Sequence, residues 1–178
     1  MNKEEILKHY YGYDSFIPAQ AENIETILSK RDVLAIMPTS AGKSICFQVP
    51  ALMLDGITIV VSPLISLMYD QVTSLKEMGI QAILLNSAMT SIEYSQAIGQ
   101  LQCGEVKLLY VAPERFEQEG FLEMMQGIQI SMVAVDEAHC ISQWGQDFRP
   151  SYQNIDTFVA QLPTRPIVAA FTATATPR

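Results

Sequence analysis

One short stretch, MPTSAGKS at residues 37–44, ends in a glycine, a lysine and a serine and overlaps the end of the apolar run DVLAIM. In a loop between a strand and a helix, backbone N–H groups at the helix start point at anions, and the helix dipole favours negative charge there. In nucleotide-binding loops of this kind the lysine reaches the β- and γ-phosphates, and the hydroxyl holds Mg²⁺. We therefore predict an ATP phosphate site here. Its residues are Thr39, Ser40, Ala41, Gly42, Lys43 and Ser44.

The loop alone leaves two interpretations open. The strict nucleotide-binding pattern GxxxxGK[ST] requires a glycine where this chain has Met37. An ordinary turn between a strand and a helix therefore remains an alternative while the stretch is considered by itself.

A pair of carboxylates at the end of another apolar run favours the nucleotide interpretation. The run SMVAVD leads into Asp136-Glu137-Ala138-His139, and α/β sheets bind ligands at the carboxyl ends of their strands. Asp136 is predicted to contact Mg²⁺ directly or through a water, and Glu137 to polarise a water for in-line attack on the γ-phosphate. An acidic pair can simply begin a solvated loop, but its occurrence together with Gly-Lys-Ser argues against that alternative.

Six short apolar runs alternate with helix-sized segments along the chain. The lysine loop and the acidic motif each follow one of these runs, so the runs determine where both motifs lie. The runs are nearly continuous in apolar residues, which is typical of strands buried on both faces of a parallel sheet. Between two of them, residues 64–78 carry apolar side chains at helical spacing. The alternation predicts a doubly wound α/β fold. The predicted strands are residues 32–37, 57–62, 81–85, 106–112, 131–136 and 166–171.

The length and composition predict one domain with a helical N-terminal flank. The chain has 178 residues, of which 49% are hydrophobic, and this is enough to bury a single core. One flanking helix is predicted near residues 3–9, and a second begins at Pro18 and runs toward residue 29. The chain stops soon after the sixth predicted strand, so we expect residues 1–178 to form one domain without a second globular unit.

The charge and the cysteines exclude some functions. A net charge of −8 argues against a chain that binds nucleic acid through bulk electrostatics alone. The three cysteines form no CxxC pair, so we expect a reducing, intracellular setting rather than a zinc or disulfide site. No run approaches the roughly 18 apolar residues of a membrane span.

Several motifs, taken together and in this order, resemble one known family. The chain resembles the first RecA-like motor domain of the RecQ-family DNA helicases, in helicase superfamily 2, over essentially its whole length. QWGQDFRP after the acidic motif is the most specific of them. Besides MPTSAGKS and DEAH, the motifs are YGYDSFIPAQ (11–20), VVSPLISLMYDQV (60–72), LLYVAPER (108–115), HCISQWGQDFRP (139–150) and FTATA (171–175).

The resemblance implies an adenine site before the first strand. Gln20 would read the adenine edge by paired hydrogen bonds, Tyr13 would stack on the ring, and Ile17 would cover the base. The family usually has arginine at Ile17, so the cation–π part of this contact is lost here. Without the motif, a Gln20 on a solvated helix face is the alternative. The family's phosphate loop usually reads MPTGGGKS, from which only Ser40 and Ala41 depart.

The resemblance also implies contacts to single-stranded DNA and residues that couple DNA to hydrolysis. Ser62 and Ser66 would bind DNA phosphates independently of the base sequence. The alternative is that these serines cap a helix. Arg115 would contact a phosphate or form a salt bridge. The loop after DEAH would stack on unpaired bases, with a core tryptophan as the alternative. His139 would take part in coupling and catalysis rather than bind a metal. The residues are Ser62, Ser66, Arg115, His139, Gln143, Trp144, Phe148, Arg149, Thr172 and Thr174.

The implied activity is ATP- and Mg²⁺-dependent translocation on single-stranded DNA in the 3′ to 5′ direction, with unwinding of duplex or forked DNA. The implied partner is a second RecA-like domain in cis, which supplies an arginine finger, so the chain alone is expected to be nearly inactive. The expected location is the cytoplasm, at the nucleoid of a bacterium, or the nucleus of a eukaryote. A P-loop kinase or small-molecule ATPase and a non-catalytic binding module are the alternatives.

Overall fold

A computed structural model describes residues 1–37, 42–141 and 150–173, with the side chains of residues 140, 141 and 150 excepted. Its six strands confirm the predicted order of elements. The strands are β1 (Val33–Ile36), β2 (Ile57–Val61), β3 (Ala82–Leu85), β4 (Leu108–Val111), β5 (Ile130–Val135) and β6 (Ile167–Thr172).

Seven α-helices and several shorter helical turns are described around these strands. The α-helices are α1 (Lys3–Ile6), α2 (Pro18–Leu28), α3 (Lys43–Met53), α4 (Ile65–Glu77), α5 (Ser91–Gln102), α6 (Phe121–Gln126) and α7 (Asn154–Ala160). A π-helical turn covers Leu7–Tyr11, and 3₁₀ turns cover Pro113–Glu117, Ala138–Ile141 and Pro150–Gln153.

The strands form one sheet in the order β1-β6-β5-β2-β4-β3, and every neighbouring pair is parallel. The fold is therefore a RecA-like, doubly wound α/β domain, as predicted. Because β1, β6 and β5 are neighbours, their carboxyl ends lie side by side. The lysine loop follows β1, Thr172 ends β6, and Asp136 follows β5. The sheet thus brings three distant parts of the sequence to one edge.

Helices cover the sheet from both faces. On one face, α2, α3 and α4 pack against the strands, and on the other face α5, α6 and α7 do so. Phe47 of α3 lies 5.6 Å from Phe171 of β6 between ring centroids. Burial of one such ring contributes roughly 1.5–3 kcal/mol to folding. This packing fixes the position of α3, which begins with Lys43, relative to β6, which ends with Thr172.

The prediction that every strand is buried on both faces is wrong for β1. Its Leu34 and Ile36 side chains are 67% and 55% exposed. The reason is that β1 is an edge strand, and the described helices leave one of its faces uncovered. The apolar run predicted the strand correctly but not its place at the edge.

The N-terminal flank packs on the lysine helix. Ile6, Leu7 and Ile24 of the flank share a buried cluster with Ile45 and Val49 of α3. The first predicted helix is α-helical only as far as residue 6 and continues as the π-helical turn, which ends at Gly12 with a φ of +80°. The second helix begins at Pro18 as predicted. Within the described ranges, no helix has the length and apolarity needed to cross a membrane.

Candidate nucleotide-binding and hydrolysis site

Lys43 lies between the two carboxylates that follow β5. Its Nζ is 3.0 Å from Oδ1 of Asp136 and 3.5 Å from Oε1 of Glu137. All three side chains are largely buried, with exposures of 11%, 5% and 19%. The lysine loop and the DEAH motif, which are far apart in the sequence, therefore form one site.

The carboxylates hold the Lys43 ammonium in its charged form. Burial disfavours the charge and is the largest single influence. The hydrogen bonds and negative charges of Asp136 and Glu137 together outweigh it, so the pKa of Lys43 is raised above its ordinary value. A buried cation beside the N-terminus of an 11-residue helix suits a strongly anionic group such as a polyphosphate.

The backbone at Glu137 adopts a conformation that side chains seldom take. Asp136 extends the ladder of β5 by donating its N–H to the carbonyl of Val61 at 2.8 Å. Glu137 then turns into the left-handed region with a φ of +54°. Its N–H donates to Oδ1 of Asp136 at 2.9 Å. The turn separates the two carboxylates, so that Asp136 is more deeply buried than Glu137.

Tyr152 also contacts this turn, and sequence reasoning missed it. Its side chain is 1% exposed, and its hydroxyl donates a 2.9 Å hydrogen bond to the carbonyl oxygen of Asp136. A buried tyrosine needs a partner for its hydroxyl. The sequence signal was only its position shortly after the QWGQDFRP segment, which does not identify the partner.

His139 connects the carboxylates to β6. Its Nε2 lies 3.5 Å from Oε2 of Glu137, and its Nδ1 lies 3.2 Å from the Thr172 hydroxyl. Thr172 in turn accepts a backbone hydrogen bond from Met37, the residue that follows β1. The predicted residues His139 and Thr172 are therefore in contact, between the acidic motif and the strand that precedes the lysine loop.

Gln20 is buried against the lysine loop rather than exposed on a helix face. Its side chain is 7% exposed. The amide Nε2 donates to the carbonyl of Gly42 at 3.1 Å, and Oε1 accepts the N–H of Ile17 at 3.1 Å. The alternative of a solvated Gln20 is therefore wrong. Tyr13 and Ile17 expose 58% and 45% of their surfaces, so these apolar groups are accessible to a ligand.

Gly42 has two features that exclude a side chain. Its φ is +72°, in the left-handed region, and it caps α3. A β-carbon at this position would lie 2.5 Å from Nε2 of Gln20. The glycine therefore allows both the turn and the close approach of Gln20.

Of the two serines predicted to contact DNA, one is buried and the other is exposed. Ser62 is buried, and its hydroxyl accepts the N–H of Leu64 at 3.2 Å, just before α4. This contact is not a helix cap, because α4 begins after Leu64 and, among the described residues, has no side-chain cap. Burial takes Ser62 off the surface. Ser66 is exposed in the first turn of α4.

The described contacts of Arg115 are to neutral side chains. It is buried in the 3₁₀ turn after β4, where its guanidinium donates to Gln118 at 2.5 Å and lies 5.7 Å from the Tyr94 ring centroid. In the part of the chain that the structure describes, it forms no salt bridge. Burial also removes it from a surface that phosphate could reach.

Some of the predicted site residues lie outside the described residues, and their roles stay predictions. They are Thr39, Ser40, Ala41, Gln143, Trp144, Phe148, Arg149 and Thr174.

A buried hydrogen-bonded chain that was not predicted links the flank to the lysine helix and α4. The Tyr11 hydroxyl donates to Oε1 of Gln48, and Nε2 of Gln48 donates to the Tyr110 hydroxyl. Tyr110 donates in turn to Gln71 of α4. Burial raises the pKa of both tyrosines above the ordinary value, so both hydroxyls stay protonated and can donate.

Two cavities, of about 550 and 620 Å³, lie at the opposite end of the sheet. They share Asp32, Leu162 and Arg165, and no residue of the Lys43 site lines them. In α/β sheets the carboxyl ends of the strands bind ligands. We therefore place the candidate site at the edge of the sheet where the carboxyl ends of the strands lie and where Lys43, Asp136 and Glu137 meet. We call this edge the Lys43 edge.

Comparison with known proteins agrees with this geometry. The family model described as DEAD/DEAH box helicase matches residues 17–178. The chain is 50% identical over 175 residues to the ATP-dependent DNA helicase RecQ of Bacillus subtilis, an alignment that covers 98% of the chain and 30% of the relative. The chain thus spans about 30% of the length of this relative.

Solved structures of low sequence identity share the fold. The helicase Lhr of Mycobacterium smegmatis, bound to ssDNA and AMP-PNP, superposes with a TM-score of 0.67 at 20% identity, over 94% of this chain and 24% of Lhr. A hypothetical ATP-dependent RNA helicase of Sulfolobus tokodaii gives a TM-score of 0.73 at 21% identity, over 99% of this chain and 52% of that protein. With the family model matched over nearly the whole sequence, the chain belongs to the DEAD/DEAH box helicase family.

Proposed function

We propose that this chain binds ATP at the Lys43 edge of the sheet and forms one half of a DNA-translocating motor. The observation that carries the proposal is the contact of the Lys43 ammonium with Asp136 and Glu137, at the carboxyl ends of β1 and β5, which only β6 separates. A cation at a helix N-terminus beside two carboxylates is the arrangement that ATP hydrolysis uses.

The donor set fits Mg²⁺, which prefers oxygen ligands and retains several waters. Asp136 supplies a carboxylate, and Ser44, the second residue of α3, supplies a hydroxyl. Within the described ranges no cluster of three or more potential metal-binding side chains occurs. These two residues would therefore hold the ion together with phosphate oxygens. The ion would neutralise charge that develops on the transferred phosphoryl group.

Lys43 exchanges its carboxylate partners for the β- and γ-phosphates when ATP binds. Glu137, released from the ammonium, then orients a water and accepts its proton as the water attacks the γ-phosphorus. The bond from that phosphorus to the β–γ bridging oxygen breaks, and ADP and phosphate are formed. His139 contacts both Glu137 and Thr172, so it links this step to β6.

Adenine binding uses the flank before β1. The exposed Tyr13 and Ile17 side chains offer apolar surface for the base. Gln20 would exchange its contacts with Gly42 and Ile17 for the adenine edge. Because the same amide touches the lysine loop, base binding and phosphate binding are expected to be coupled.

We propose DNA as the nucleic acid on which the motor moves, because nearly the whole chain is similar to the ATP-dependent DNA helicase RecQ of Bacillus subtilis. Translocation from 3′ to 5′ and unwinding of forked DNA are proposed for a longer protein with a second RecA-like domain in cis. Ser66 and the residues between 142 and 149 would contact the single strand. The net charge of −8 indicates that other regions supply much of the attraction to phosphates.

ATP hydrolysis by the complete gene product, with and without single-stranded DNA, tests this function. We expect DNA to stimulate release of phosphate to water, and we expect the 178-residue chain alone to hydrolyse ATP slowly. The reason is that an arginine finger contributes about 10³ to 10⁵ in rate. Transfer of phosphate to a small-molecule acceptor would favour a kinase. Brisk DNA-stimulated hydrolysis by the 178-residue chain alone would contradict the need for a second domain.

A further inference from the structure

The conformation of Glu137 requires a support outside the acidic motif. Its φ of +54° brings the β-carbon close to a neighbouring carbonyl, which is unfavourable for every residue except glycine. Such a conformation persists at a functional site only where the surrounding structure fixes it. The peptide group that joins Asp136 to Glu137 is therefore the part of the site whose orientation needs an explanation.

This peptide group is held at both of its polar atoms. Its N–H, which belongs to Glu137, donates to Oδ1 of Asp136 at 2.9 Å. Its carbonyl, which belongs to Asp136, accepts the hydroxyl of Tyr152 at 2.9 Å. The first contact depends on the Asp136 carboxylate, which also binds Lys43. That carboxylate must change partners when a nucleotide binds, whereas the tyrosine contact can persist.

The Tyr152 ring is itself rigidly placed. It is 1% exposed and belongs to the core cluster that includes Ile155 and Phe158 of α7. The neighbouring Ser151 hydroxyl donates to Oε2 of Glu117 at 3.1 Å, which attaches this 3₁₀ turn to the turn after β4. Because the ring is closely packed, the Tyr152 hydroxyl can take few other positions. Its hydrogen bond therefore fixes the direction of the Asp136 carbonyl.

We infer that Tyr152 is a positioning residue for ATP hydrolysis. Its hydroxyl fixes the plane of the Asp136–Glu137 peptide and so aims the Glu137 carboxylate at the attacking water. The role proposed for Tyr152 is to orient Glu137, not to contact the reacting atoms. The inference rests on the proposed function, because it assigns Glu137 the task of orienting that water.

The test removes only the hydroxyl, in Tyr152→Phe, and measures kcat and KM for ATP in the complete gene product with saturating single-stranded DNA. We expect kcat to fall roughly tenfold, the scale of one lost hydrogen bond, with KM unchanged. Tyr110→Phe is the matched control, since Tyr110 is also 1% exposed and its hydroxyl bonds, among the described residues, to Gln48 and Gln71. Both variants lose a buried hydroxyl, but kcat should stay within about twofold in the control.

A double-mutant cycle separates positioning from a general loss of structure. If Tyr152 acts through Glu137, Tyr152→Phe should cause no further loss of kcat in a Glu137→Gln background. Losses that multiply would overturn the inference, and so would a kcat equal to that of the unmodified protein. In either of those cases DNA-stimulated hydrolysis by the unmodified protein would leave the proposed function intact.

A spectroscopic measurement on the 178-residue chain tests the geometry without turnover. Asp136-Glu137 is the only Asp-Glu dipeptide in the sequence, so carbonyl-¹³C aspartate with ¹⁵N glutamate gives one correlated signal. Tyr152→Phe should shift this signal, and Tyr110→Phe should not. If the complete gene product hydrolyses no ATP, the proposed function fails, and this signal alone decides whether Tyr152 holds the peptide. An unchanged signal in Tyr152→Phe would overturn the inference.

Discussion

The Lys43 ammonium lies 3.0 Å from the Asp136 carboxylate, although the two residues come from opposite halves of the sequence. The parallel sheet produces this contact, because β1 and β5 are separated only by β6 and all three strands end at the same edge. The two carboxylates surround the single cation and offset its charge. In the proposed function, the phosphates of ATP would take the place of the carboxylates at Lys43, and a divalent cation would take the place of Lys43 at Asp136, so that no buried charge is left unpaired.

Replacement of Glu137 by glutamine should separate ATP binding from hydrolysis. Glutamine keeps the shape of the side chain but cannot accept the proton of the attacking water, so kcat in the complete gene product should fall by about 10² to 10⁴. The affinity for ATP should change little, because Lys43, Ser44 and Asp136 remain. Single-turnover hydrolysis and equilibrium binding check the two parts, and an unchanged kcat would exclude Glu137 as the proton acceptor.

Alanine at Gly42 should destabilise the site for two separable reasons. The left-handed φ of +72° costs a β-carbon about 1–2 kcal/mol, and the same atom would lie 2.5 Å from Gln20. Gly12→Ala is the matched control, because Gly12 has a φ of +80° and nothing within 4 Å of a β-carbon. Thermal unfolding should show a larger loss for Gly42→Ala than for the control.

A second substitution identifies the source of that difference. Gln20→Ala removes two hydrogen bonds of its own, so the effect of Gly42→Ala is measured relative to the Gln20→Ala variant. In that background the further loss of stability from Gly42→Ala should approach that of Gly12→Ala, because the close contact is gone and the strain in φ remains. Equal losses of thermal stability in Gly42→Ala and Gly12→Ala would show that Gln20 makes no unfavourable contact with a β-carbon at residue 42.

Asp32 should stabilise the fold in a pH-dependent way. Hydrogen bonds from Arg165 at 2.7 and 3.1 Å are the main cause of a lowered pKa of Asp32, and the N–H of Val168 donates to the same carboxylate at 2.9 Å. Because the folded-state pKa is below the unfolded one, this stabilisation is complete above about pH 4 and is lost as pH falls through the folded-state pKa. Its size should be below about 1 kcal/mol, since the pair is half exposed.

The free energy of unfolding of Asp32→Asn, measured between neutral and acid pH, checks this. The variant should be less stable than the unmodified chain at pH 7, and the difference should shrink in acid. Asp14→Asn is the control, because Asp14 pairs with Lys8 at a far more exposed position. A difference that stays constant down to low pH would contradict the role of the Asp32 charge.

The six strands along the chain and the parallel α/β fold could be predicted from the sequence because they depend on local patterns. Continuous apolar runs such as ITIVV are characteristic of central parallel strands, and β2 is buried along its whole length. Gly-Lys-Ser after β1 and Asp-Glu after β5 lie at the same edge because the strands are parallel, and the order β1-β6-β5 brings them into contact. The edge position of β1, and hence the exposure of Leu34, depends on which strands become neighbours, which no local run specifies.

The remaining parts of the site depend on tertiary contacts between groups with no shared pattern. The contact of Tyr152 with Asp136 joins a side chain to a backbone carbonyl, and carbonyls carry no sequence signal. Arg115 was expected to meet a phosphate or a carboxylate, but its burial beside Tyr94 and Gln118 follows from packing after β4. Gln20 was predicted to bind adenine, whereas its contact with Gly42 depends on the positions of both α2 and the lysine loop.

The most direct test of the Lys43 site is calorimetric titration of the 178-residue chain with a non-hydrolysable ATP analogue and Mg²⁺. Lys43→Met is compared with the unmodified chain, and Lys76→Met, on the exposed face of α4, is the control. We predict one binding site per chain, with an affinity lowered about 10- to 100-fold by Lys43→Met and unchanged by Lys76→Met. Equal affinity in the unmodified chain and in Lys43→Met, or no binding to the unmodified chain, would contradict a nucleotide site at Lys43.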